Sequence, residues 1–95
     1  MVMTVLEATV EPASWDKLKQ AFSVGSSRRP KQIVDGYLVQ SKDDPTLWRA
    51  ISLWQSREAL EEYRRSVEVP GGVLIFRAAG AEPRLAIFDV VNQLQ

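Results

Sequence analysis

The runs Val2 to Val10, Leu47 to Gln55 and Arg84 to Asn92 carry apolar residues at both odd and even positions. Successive side chains of a strand point to opposite faces, so runs of this kind need apolar cover on both sides. A chain of 95 residues has room for a single core and few helices to supply that cover. Along the second of the three runs, Trp48, Ala50 and Trp54 share one face, while Leu47, Ile51 and Leu53 share the other. Helices of the same chain can lie over one face. The other face would be a large exposed apolar patch unless a second copy of the chain packs against it, so sheet-to-sheet dimerisation is expected.

The remaining segments supply the helices and turns. Pro12 suits the first position of a helix, Trp15, Leu18 and Phe22 recur at helical spacing, and Gly25 stands where that helix is expected to stop. Residues 25–32, GSSRRPKQ, read as a solvated loop. Ile33 to Ser41 and Leu47 to Gln55 form two β-rich runs around Lys42-Asp43-Asp44-Pro45-Thr46, whose Asp and Pro residues favour an antiparallel hairpin. Ser56 is a helix cap, and Ala59, Leu60, Tyr63 and Val67 form an apolar stripe behind it. Glu61 and Arg65 stand at i and i+4 on the polar side, a pair worth only about 0.2 to 0.5 kcal/mol. Pro70 and Gly80 bracket a short helix, although Val73 to Phe76 would also suit a strand. The last run, from Arg84 to Asn92, reads as a central strand. The result is one α+β domain over residues 1–95, a ferredoxin-like βαββαβ fold with a four-stranded antiparallel sheet.

Composition narrows the chemistry. Twelve Lys and Arg balance twelve Asp and Glu, which leaves no overall field to draw the chain to nucleic acid or an anionic membrane. There is no cysteine and no histidine, so disulfides, thiolate metal sites and the commonest neutral metal ligand and general base are excluded. The longest apolar run, Val73 to Phe76, is far below the roughly 18 residues needed for a membrane span, and Met1 to Val10 has neither a basic leader nor a cleavage site. A cytoplasmic location without nucleic-acid or membrane partners is expected.

From Trp48 to Ser66, WRAISLWQSREALEEYRRS, a strand ends in Leu53-Trp54-Gln55-Ser56 and is followed by an acidic residue, an apolar residue and an aromatic one. This order resembles the antibiotic biosynthesis monooxygenase family of the dimeric α+β barrel superfamily. The likeness extends through Pro30 to Val39, with Gly36-Tyr37-Leu38 on the second strand, and through Leu85 to Val91 on the last. The resemblance implies two identical sheets closing into a barrel at a homodimer interface, with a pocket in each subunit between sheet and helices. It also implies oxidation of phenols or quinols by molecular oxygen without metal, flavin or other cofactor, or else degradation of haem. Where the haem-degrading members carry asparagine, tryptophan and an iron-ligating histidine, this chain has Ala8, Tyr63 and Val73. Those departures point away from haem chemistry.

Oxygenation without a cofactor needs an electron-rich substrate that can be deprotonated and held as an anion. Tyr63 could hydrogen-bond a phenolic oxygen, Arg49 or Arg77 could stabilise an anion, and Trp54, Phe22 and Phe76 could form flat apolar walls. No residue stands out as a base. The expected substrate-binding set is therefore Tyr63, Trp54, Phe22, Phe76 and Arg49, with a small aromatic ligand. Trp15, Leu18 and Phe22 also suit a plain core, and Arg28, Arg29 and Lys31 also suit a solvated loop. A non-catalytic domain of the same fold, one that binds a small molecule or only dimerises, remains the alternative.

Overall fold

The computed structural model describes residues 1–94. Strand β1 (Val2–Thr9), helix α1 (Trp15–Ser26), strands β2 (Ile33–Gln40) and β3 (Leu47–Trp54), helices α2 (Arg57–Ser66) and α3 (Gly71–Ala78) and strand β4 (Arg84–Asp89) follow in order. The strands form one antiparallel sheet in the order β2-β3-β1-β4. This is the ferredoxin-like arrangement expected, with a short helix between Pro70 and Gly80. Two expectations are corrected. The last run is an edge strand rather than a central one, and it ends at Asp89. Its two apolar faces have separate causes: Leu85 and Ile87 face the helices, while Ala86 and Phe88 face away from them. Gly25 does not stop α1, which continues to Ser26. A Cβ at Gly25 would lie 3.2 Å from Ile75 Cδ1, so the missing side chain lets α1 and α3 approach closely.

Local hydrogen bonds explain the element boundaries. In the β2–β3 turn, Asp44 Oδ1 accepts from the Thr46 amide at 3.1 Å and from the Thr46 hydroxyl at 2.6 Å. Ser56 caps α2 by accepting from the Ala59 amide at 3.0 Å. On the polar side of α2, Glu61 faces Arg64 at 3.9 Å rather than Arg65. Trp15 Nε1 donates to the Val10 carbonyl at 2.8 Å and so fixes the entry to α1. Gly80 has φ 75°, a left-handed conformation that a Cβ would strain, and it closes the chain after α3.

The helix-covered face holds two buried clusters. One joins Leu6, Ala8, Val10, Leu18, Trp48, Ala50, Phe76 and Ala79. The other is Val2, Trp54 and Leu60, with Ile33 and Tyr63 packed against it. The opposite face has no cover among the described residues. Met3, Val5, Ile51, Leu53, Ala86 and Phe88 lie there in register with one another, and Tyr37 and Phe88 are 54% and 53% exposed. Its charged residue along β1 is Glu7, which accepts from Arg49 at 2.7 Å and from Arg84 at 3.2 Å. Those two guanidinium groups hold the Glu7 carboxyl below its ordinary range. Among the described residues no helix is long and apolar enough to cross a membrane.

Candidate functional site

A cavity of about 660 Å³ lies between the sheet and the helices. Leu6 and Ala50 from the first buried cluster and Trp54 and Leu60 from the second all line it, so it marks the place where the two clusters fail to meet. Strand β4 contributes Leu85 and Ile87, and α1 contributes Phe22, Val24 and Gly25. The volume falls within the roughly 300 to 1,000 Å³ usual for small-molecule sites. It also depends on glycine. A Cβ at Gly72 would stand 2.6 Å from Leu6 Cδ1, so any other residue there would push Leu6 or α3 aside.

Two aromatic residues give the cavity its specific chemistry. The rings of Trp54 and Tyr63 are tilted at 38° with centroids 5.1 Å apart. Trp54 is 4% exposed and donates from Nε1 to the Thr4 hydroxyl at 2.9 Å. That bond satisfies a buried donor and locks the indole against the sheet. Trp48, by contrast, keeps its buried Nε1 without a partner among the described residues. The Tyr63 oxygen accepts from the Gly71 amide at 2.8 Å. A phenol has one proton and further acceptor capacity, so this bond leaves the Tyr63 hydrogen available for an oxygen in the cavity.

Of the five residues expected to bind substrate, the structure brings together three. Tyr63, Trp54 and Phe22 line the cavity. Phe76 is fully buried in the cluster beneath α3 and does not line it. Arg49 is on the opposite face of the sheet, bound to Glu7. Arg77 is held by Glu82 through hydrogen bonds of 2.8 and 3.0 Å, also away from the cavity. The arginines that do line it are Arg28, Arg29 and Arg64. Arg28 and Arg29 were visible in the sequence as a loop cluster. Arg64 was not singled out, although it lies four residues from Leu60, which is the spacing of neighbours on one side of a helix. Thr4 was also missed, because a lone hydroxyl in an apolar strand gives no signal until its indole partner is known. Among the described residues no Asp or Glu lines the cavity, and the chain has no histidine.

The sheet order, the helices on one face and the cavity beneath them define an α+β protein of the ferredoxin-like class. Within that class the chain belongs to the antibiotic biosynthesis monooxygenase family, whose model matches residues 1–70. The match covers the Trp54 and Tyr63 walls and ends just before α3. Among solved structures, SnoaB, a cofactor-independent oxygenase from Streptomyces nogalater, superposes with a TM-score of 0.70 at 21% identity, covering 98% of this chain and 95% of that one. A Deinococcus radiodurans protein provisionally named an antibiotic biosynthesis monooxygenase reaches a TM-score of 0.75 at 10% identity, covering 100% of this chain and 97% of that one. Rv0793 from Mycobacterium tuberculosis reaches 0.68 at 15% identity with both chains fully covered. At these identities the likeness is one of fold. No curated protein matches the chain.

Proposed function

We propose that the chain, as one functional domain, is a cofactor-independent monooxygenase that oxidises an aromatic phenol or quinol, and that it works as a cytoplasmic homodimer. The observation that carries this reading is the Tyr63 hydroxyl, anchored by the Gly71 amide at the wall of a largely apolar cavity beside the Trp54 ring. A flat phenol can lie against the indole while its oxygen accepts from Tyr63. In such a reaction one oxygen atom enters a ring carbon to give a quinone and the other leaves as water, so the substrate itself supplies all the electrons that reduce oxygen. The protein's part is to orient the ring, exclude water and favour the anion. With no histidine in the chain to ligate haem iron, haem breakdown does not suit it. The uncovered face of the sheet supports the homodimer.

One observation favours the second reading, a binding domain without catalysis: no carboxylate or imidazole in the cavity wall can take a proton from the ligand. Oxygen uptake with a panel of quinols and polyphenols separates the two, since a binding domain takes up ligand and consumes no oxygen. Tyr63→Phe then tests the site. It keeps the ring packing and removes one hydrogen bond to the ligand, so affinity or turnover for the best phenol should fall about tenfold, equivalent to about 1.4 kcal/mol. A variant that binds and oxidises that phenol as well as the parent excludes Tyr63 from the site.

A further inference from the structure

The cavity wall has a charge pattern that the chain as a whole does not. Acidic and basic residues are equal in number over the sequence. The lining among the described residues nevertheless includes Arg28, Arg29 and Arg64 and not one Asp or Glu. All three arginines are exposed, so they stand where the cavity meets solvent, whereas Trp54, Leu6 and Leu60 form its buried depth. Of the five arginines outside the cavity wall, four are matched by carboxylates, Arg49 and Arg84 by Glu7, Arg57 by Asp89 and Arg77 by Glu82, while Arg65, exposed on α2, has no ion pair among the described residues. Arg64 has only the long contact with Glu61, and neither Arg28 nor Arg29 makes an ion pair among the described residues. The Tyr37 hydroxyl at 2.6 Å and the Gly36 amide hold the Asp35 carboxyl below its ordinary range, with a smaller contribution from Arg29, and Asp35 does not line the cavity.

Guanidinium groups gathered at the opening of an apolar cavity, with only the long Arg64–Glu61 contact to a carboxylate among them, form a receptor for an anionic oxygen group. Resting on the reading of this cavity as the ligand site, we infer that its ligand is amphipathic: an aromatic body in the apolar depth, with a phenolic oxygen at Tyr63 and a carboxylate held at the opening by Arg28, Arg29 and Arg64. This adds a chemical class, the aromatic hydroxycarboxylic acids, to the bare phenols considered above. It also gives the arginines a specificity role separate from the Trp54 and Tyr63 wall.

Calorimetric titration with three probes that share a ring system tests this: a hydroxynaphthoate, its methyl ester and 2-naphthol. The hydroxynaphthoate should bind the full-length protein about tenfold or more tightly than the other two, the gain of a charge-assisted hydrogen bond. That preference should shrink as salt rises, because exposed charges are screened. The double variant Arg28→Gln/Arg29→Gln or the single variant Arg64→Gln should reduce the preference while leaving 2-naphthol affinity and the thermal midpoint unchanged. Equal binding of all three probes would overturn the carboxylate inference and leave the cavity reading intact. A preference that survives in both variants would likewise overturn it. Failure of all three probes to bind would overturn the cavity reading together with it.

Discussion

Replacing Thr4 with Val removes the acceptor of the buried Trp54 indole while nearly preserving shape. Thr4 is 8% exposed and Trp54 4%, and their bond is 2.9 Å long. An unpaired buried donor costs about 1 to 3 kcal/mol. A methyl in place of the hydroxyl on this apolar face offsets that by up to about 0.8 kcal/mol. The net loss is then about 0.2 to 3 kcal/mol, and at about 4 to 8 °C per kcal/mol for a domain of this size the midpoint falls by about 1 to 24 °C. Scanning calorimetry at a fixed protein concentration measures it, the concentration being held because self-association would move the midpoint. The Trp54→Phe background is the control. There the donor is gone, so Thr4→Val should be neutral or slightly stabilising. If Thr4→Val costs as much in that background as in the parent, the hydrogen bond is not the source of the effect and the argument for a locked indole fails.

Two further outcomes are expected. Ile51→Asp places a charge between Val5 and Tyr37 on the uncovered face; light scattering should show the parent near twice 10.7 kDa and the variant near 10.7 kDa, and a parent that remains a folded monomer would refute the dimer. Glu7 has a folded-state pKa below its ordinary 4.5 because Arg49 and Arg84 donate to it. Its contribution is therefore present above that value and lost as the pH falls through the lowered one. The stability gap between the parent and Glu7→Gln should thus close on acidification, and a gap that stays constant across the carboxylate range, followed by chemical denaturation, would contradict the ion-pair origin.

The strands and the hairpin were legible because β-rich apolar runs and turn chemistry are local. The α3 helix was legible through its brackets, Pro70 and Gly80, although its apolar centre is equally strand-like. Gly25 misled because glycine has two uses: freedom at positive φ, which ends helices, and the absence of a Cβ, which lets two helices touch. Only the position of Ile75 reveals which applies. The final strand looked central because both of its faces are apolar, yet one borders the cavity and the other the uncovered surface. In the site, Tyr63 followed from the helical stripe. The strand period alone already separated Arg49 from Trp48, Ala50 and Trp54, since odd and even positions oppose each other. Phe76 could not be separated from a cavity wall without the packing of α3. The arginines at the opening were hidden for a different reason: a charged residue on a loop or helix surface looks the same whether it meets water or a ligand.

The bond between Tyr63 and Gly71 makes one oxygen answerable to two elements. It belongs to α2, faces the cavity, and receives the first amide of α3, a donor that has no partner of its own at a helix start. A guest that accepts the Tyr63 proton leaves the oxygen free to keep that amide, so one atom would hold both the guest and a helix whose Phe76 is fully buried in the core. The wall of the cavity and the start of α3 thus share a single atom, and a change at Tyr63 bears on both.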